Sequence, residues 1–253
     1  MTATIEAPTT RWTEPEGVRP RGTVLVFPGR GESAAAYWRL GARLAYDAYR
    51  VVVVAPPSAA AEITEETVRP IVALGSDSGA LDAVAFARGH RGSVDAVVVA
   101  GVPTGGEGDA LAGAVESRTA CSVQQGVLAA DVLGSGGFVV PPVAGLPALA
   151  APTAPSPTAP SPTAPSGQDV PVTVPLLVLH GGQDAISPFE DAVGVYRSWG
   201  AAEVTVIETG LHDVLNDLPH RTVAAAVVEF LERVRLGAEL PVVSKVVGVA
   251  GRA

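Results

Sequence analysis

Several absences narrow what this chain can be. It has a single cysteine, Cys121. An intrachain disulfide is therefore excluded, and so is a zinc site built on cysteine pairs. Nothing in the sequence points to a metal or an organic cofactor. Positive charge is also scarce: 17 Lys and Arg stand against 26 Asp and Glu, a net charge of −9. A surface of that sign repels phosphate backbones and argues against nucleic acid as a partner. No run of about 18 or more apolar residues occurs, so no membrane span is expected. Met1 to Pro20 holds no apolar stretch of signal-peptide type, and a cytoplasmic location is the expectation.

What is present is enough for one sizeable core: 253 residues, 47% of them hydrophobic. Short β-branched runs alternate with helical patterns. Strands are expected at Thr23–Phe27, Val51–Ala55, Pro70–Leu74, Asp95–Ala100, Pro175–His180 and Glu203–Ile207. Helices are expected at Ser33–Asp47, Ala80–Arg88, Phe189–Trp199 and His220–Arg235. In the first of these, Tyr37, Leu40, Leu44 and Ala45 share a face. The alternation predicts an α/β architecture, a mostly parallel, doubly wound sheet with helices on both faces. Ligands in such sheets bind at the carboxyl ends of the strands, so the loops there are where chemistry is expected.

The pattern divides the chain into a core of residues 1–102 and 170–236, an insertion at 103–169 and a tail at 237–253. A short helix is expected around Asp109 to Glu116. The second part of the insertion is low complexity, with Thr153-Ala154-Pro155-Ser156-Pro157 recurring twice in near-identical form up to Ser166. Prolines remove amide donors and favour extended conformations, so this reads as a solvated linker.

Three loop regions at expected strand ends carry chemistry. Phe27-Pro28-Gly29-Arg30-Gly31-Glu32 can bring a backbone amide against a developing oxyanion, or can be a tight turn only. Gly75-Ser76-Asp77-Ser78-Gly79 lies between a strand and a helix, the setting of a nucleophile elbow. Its central residue is Asp77, which could instead cap the helix. Gly181-Gly182-Gln183-Asp184 and Thr209-Gly210-Leu211-His212-Asp213 follow the last two strands. Asp184 would orient the imidazole, and His212 would activate water or accept a proton. The order nucleophile, acid, base is the one this kind of fold requires. His180 reads as a packed group, His220 as structural, His90 as a surface residue, and Cys121 as lacking a base.

These loops resemble the monoacylglycerol lipase and lysophospholipase branch (serine aminopeptidase S33-like) of the α/β hydrolases, over roughly residues 20–102 and 170–235. The resemblance implies the α/β-hydrolase fold with a reduced, proline-rich lid, and a hydrolase acting on a small organic substrate. Its oxyanion amides would be those of Arg30 and Ser78, its acid Asp184 and its base His212. Two departures stand out: Pro28 replaces a histidine, and Asp77 replaces the nucleophilic serine. Aspartate attack on an ester carbonyl gives a mixed anhydride, an uphill step. Attack on a saturated carbon gives an ordinary ester that water can hydrolyse. Three readings stay open: a carboxylic-ester hydrolase, an epoxide hydrolase or dehalogenase using Asp77 as nucleophile, and a binding scaffold without catalysis.

Overall fold

The computed structural model describes residues 10–55, 57, 60, 67–105, 114–134, 171–200, 203–237 and 239–243. The strands are β1 (Arg11–Trp12), β2 (Gly22–Phe27), β3 (Tyr49–Val53), β4 (Ile71–Ser76), β5 (Ala96–Ala100), β6 (Leu176–Gly181) and β7 (Glu203–Ile207). They form one sheet in the order β1-β3-β2-β4-β5-β6-β7. β1 runs antiparallel to β3, and every other pairing is parallel.

The helices are α1 (Trp38–Tyr46), α2 (Ser78–Gly89), α3 (Val115–Arg118), α4 (Ser122–Gly134), α5 (Phe189–Ser198) and α6 (His220–Leu236). The sheet's period of two sorts the central strands between two cores. Val24 and Val26 of β2, Leu74 of β4 and Val98 of β5 pack with Tyr37, Leu40 and Leu44 and with Val223, Val227 and Phe230 of α6. Leu25 and Phe27, Ala73, Val97 and Val99 face the other way, against Ala80, Ala83 and Val84 of α2 and Ala192 and Tyr196 of α5. Both faces of the central strands are covered, which is why their sequences are continuous apolar runs rather than alternating ones. Full burial of each such Val or Leu contributes about 1.5–3 kcal/mol, so the strands specify the sheet strongly.

The expected helix over Ser33–Asp47 is divided. Ser33 accepts a bond from the Ala35 amide and starts a 3-10 turn at Ala34–Tyr37, and α1 follows. Its expected apolar face, Tyr37, Leu40, Leu44 and Ala45, is buried. α2 begins two residues earlier than expected, directly after Asp77. β1 and α4 were not anticipated. Of the expected helix around Asp109–Glu116, residues 109–113 lie outside the described part, and a single turn occurs at Val115–Arg118. The proline repeat also lies outside it. Among the described residues, no helix is long and apolar enough to cross a membrane.

Candidate active site

The parallel register brings four loops to one edge of the sheet. Phe27 pairs with Gly75, Ser76 with Ala100, and Gly181 with Ile207, so the loops after β2, β4, β6 and β7 emerge together. The turn after β4 is sharp. Asp77 has φ 49° and ψ −126°, a conformation L residues seldom adopt, and its amide donates to the Ala100 carbonyl at 3.0 Å. Two glycines make room for it: a methyl group on Gly75 would overlap the Gly79 carbonyl, and one on Gly79 would overlap the Phe27 carbonyl. The Asp77 side chain makes no capping bond to α2, so the helix-cap alternative fails.

The carboxylate of Asp77 instead faces His212 and Arg30. His212 Nε2 lies 3.3 Å from Asp77 Oδ1, and His212 Nδ1 lies 2.8 Å from Asp184 Oδ2. Asp184 is fixed through its other oxygen, which accepts from the Ile186 and Ser187 amides at 2.9 Å each. The sequence-identified residues Asp77, Asp184 and His212 thus form one connected line. Ser78 opens α2 beside Asp77.

Arg30 does more than its loop suggested. Its amide donates to Asp77 Oδ2 at 3.0 Å. Its side chain also covers the carboxylate: Nε is 2.8 Å from Oδ2 and Nη2 is 2.6 Å from Oδ1. The Arg30 and Asp77 side chains are only 3% and 1% exposed, so this ion pair is shielded from water. Arg118, also buried, has a guanidinium nitrogen 3.9 Å from Asp77 Oδ2. It donates to the Arg30 carbonyl at 2.8 Å and pairs with Glu32. Glu32 in turn accepts from Tyr37 and from the Gly29 amide, which ties the loop after β2 into a fixed shape. Asp213, next to His212, is held by Gln124 and Asn216 at 2.9 Å each.

Protonation follows from these contacts. Burial alone would raise the Asp77 carboxyl. Hydrogen bonds from His212 and Arg30, with the charge on His212 and Arg118, outweigh it and hold the group well below the usual carboxylate range. Burial would lower His212, but its bonds to Asp184 and Asp77 overcome this and push it to about 9. A value of about 9 favours the imidazolium form of His212 near neutral pH. Burial, then the nearby charge of Glu32, raises the Asp213 carboxyl.

The remaining candidates sit apart from this line. His180 is buried, its Nδ1 2.7 Å from Tyr196 Oη. His90 Nδ1 lies 2.9 Å from the Phe86 carbonyl, and His220 Nδ1 lies 3.0 Å from the Asp217 carbonyl. Cys121 is buried against the guanidinium of Arg39. Among the described residues, no group of His, Cys, Asp or Glu could hold a metal ion. Sequence reasoning missed the side chains of Arg30 and Arg118. The first was visible only as a basic residue in a glycine-rich loop, and the second gave no local signal.

No family model matches the chain, and no curated protein matches it. Solved structures do. The monoacylglycerol lipase of Paleococcus ferrophilus superposes with a TM-score of 0.60 at 13% identity, over 90% of this chain and 98% of that one. A soluble variant of the monoglyceride lipase of Saccharomyces cerevisiae gives 0.60 at 12% identity, over 89% and 91%. A thermophilic esterase from Thermogutta terrifontis gives 0.56 at 18% identity, over 90% and 93%. With its sheet order and the loops gathered at one edge, the chain has the α/β-hydrolase fold.

Proposed function

We propose that this protein is a hydrolase that acts on a small organic molecule through Asp77, Asp184 and His212. The observation that carries the reading is the unbroken line from Asp184 through His212 to a carboxylate at the elbow. The Arg30 amide already lies on that carboxylate's second oxygen. The solved neighbours whose names are lipases and esterases support the hydrolase class.

An ester can reach His212 by two routes, and the residues favour the one that makes it on Asp77. Asp77 Oδ1, once the Arg30 side chain moves off it, attacks a saturated carbon and displaces a halide, or opens an epoxide whose alkoxide takes the proton of the His212 imidazolium. The acyl oxygen that remains, Oδ2, sits against the Arg30 amide. Alkylation also removes the negative charge of Asp77, one of the two carboxylates that keep His212 protonated. The imidazole then returns toward its ordinary range and, its proton given to the alkoxide or, after halide loss, to solvent, becomes a base. Water adds to the Asp77 carbonyl carbon, His212 takes its proton, the alcohol leaves and the carboxylate is restored. The other route, a carboxylic ester of the monoacylglycerol or lysophospholipid kind brought in from solution, needs His212 to activate water directly. Among the described residues, no serine hydroxyl is bonded to His212 in place of Asp77.

A binding scaffold without catalysis is the competing reading, and the Arg30 clamp on Asp77 favours it. The test is turnover of short-chain chromogenic esters, terminal epoxides and haloalkanes by wild type, His212→Ala and Asp77→Ser. Turnover of any class that His212→Ala abolishes supports the hydrolase. Silence of the wild type on all three classes supports the scaffold.

A further inference from the structure

A cavity of about 380 Å³ lies between α1 and the start of α6 and is lined by Trp38, Arg39, Arg43, Leu215, His220 and Arg221 among others. None of the candidate catalytic residues lines it. Its charge is the reverse of the molecule's. The chain carries −9 overall, yet three arginines and a histidine face this space and no carboxylate lines it. A guanidinium stays charged at any physiological pH, so the cavity concentrates positive potential within an acidic protein.

The three guanidinium groups are engaged to different degrees. Arg221 is exposed and has no ion-pair partner among the described residues. Arg43 gives its Nε to Asp47 at 2.7 Å, and its side chain stays 48% exposed. Arg39 donates one terminal nitrogen to the Asn216 carbonyl at 2.9 Å and holds both terminal nitrogens against Cys121 Sγ at 3.3 and 3.4 Å, while its Nε is buried without a partner among the described residues. A buried donor left unpaired carries a desolvation cost that an acceptor within reach would remove. Beside these groups, Trp38 is 48% exposed, with the Arg39 guanidinium 6.0 Å from its ring centre. A large aromatic left that open beside cations offers a planar platform. The first turn of α6 has neither an acidic residue nor a side-chain cap.

We propose that this cavity is a binding site for a small anionic ligand, a carboxylate or phosphate joined to a flat apolar group. Arg39 and Arg221 hold the anion, and the apolar group lies on Trp38. The volume suits one such molecule. The site is separate from Asp77, and the proposal stands whether or not the hydrolase reading holds.

Phenyl phosphate is the probe, titrated into the full-length protein by calorimetry and followed by tryptophan fluorescence, with inorganic phosphate as competitor. The expected result is saturable one-site binding. Arg221→Met and Arg39→Met should each weaken it by about tenfold or more, the usual loss for a charge-assisted bond. Trp38→Ala should weaken phenyl phosphate and leave inorganic phosphate unchanged. Arg221 is exposed, so its variant stays folded, and a melting curve checks this. Absence of saturable binding up to about 10 mM overturns the proposal. So does unchanged affinity in folded Arg221→Met.

Discussion

The guanidinium of Arg30 closes over the carboxylate of Asp77, with Nη2 2.6 Å from Oδ1 and Nε 2.8 Å from Oδ2, in a site from which water is excluded. The two residues are 47 positions apart and come together because β2 and β4 are paired neighbours. A buried charge is tolerated only while its partner remains. Asp77→Asn and Arg30→Met should each destabilise the fold by about 3 kcal/mol. The double variant should cost less than the sum of the two, because it leaves neither charge stranded. Urea denaturation of the four proteins measures the coupling, and strict additivity would show the pair to be energetically idle.

His212 makes stability depend on pH. Its folded value, about 9, lies above the ordinary value of a histidine. The folded state therefore holds this proton where the unfolded state has lost it. The contribution is fully present below about pH 6.5 and is lost as pH rises through 9. Wild-type stability should fall across that window, and His212→Gln should flatten the fall. Chemical denaturation at successive pH values compares the two slopes. Equal slopes would mean that His212 is not protonated in the fold.

The elbow depends on close backbone approach, and two glycines of one helix separate that effect from helix propensity. A methyl group at Gly79 would meet the Phe27 carbonyl, whereas one at Gly89 would meet nothing within 4 Å. Gly79→Ala should destabilise by about 1–3 kcal/mol through overpacking. Gly89→Ala should be neutral or stabilise by about 0.5 kcal/mol through the entropy of the unfolded chain. Thermal melts decide it, and similar effects at both sites would show that close approach at Gly79 does not hold the turn.

The central strands were legible because burial on both faces writes them as unbroken apolar runs. Val51 to Val54 needs no partner to be recognised. The elbow was legible because Gly75 and Gly79 bracket a turn that only small residues can make. β1 was not, since Arg11 and Trp12 pair along β3 through backbone bonds that leave no side-chain period. α4 was missed because it lies in the insertion, outside the β-α alternation by which the other helices were placed. Asp77, Asp184 and His212 were found by their order at strand ends. The clamp was hidden: Arg118 reaches the Arg30 carbonyl from 88 residues away. Pairing of that kind is fixed by tertiary packing, and no local pattern records it.

The central claim is that Asp77 carries the ester. His212→Gln removes the proposed base and leaves Asp77 in place, so an ester made on the protein should accumulate. After incubation with a terminal epoxide or a haloalkane, intact mass spectrometry should show one added alkyl group, and peptide mapping should place it on Asp77. No adduct on His212→Gln, with wild-type turnover of simple carboxylic esters that survives Asp77→Ala, would contradict the claim.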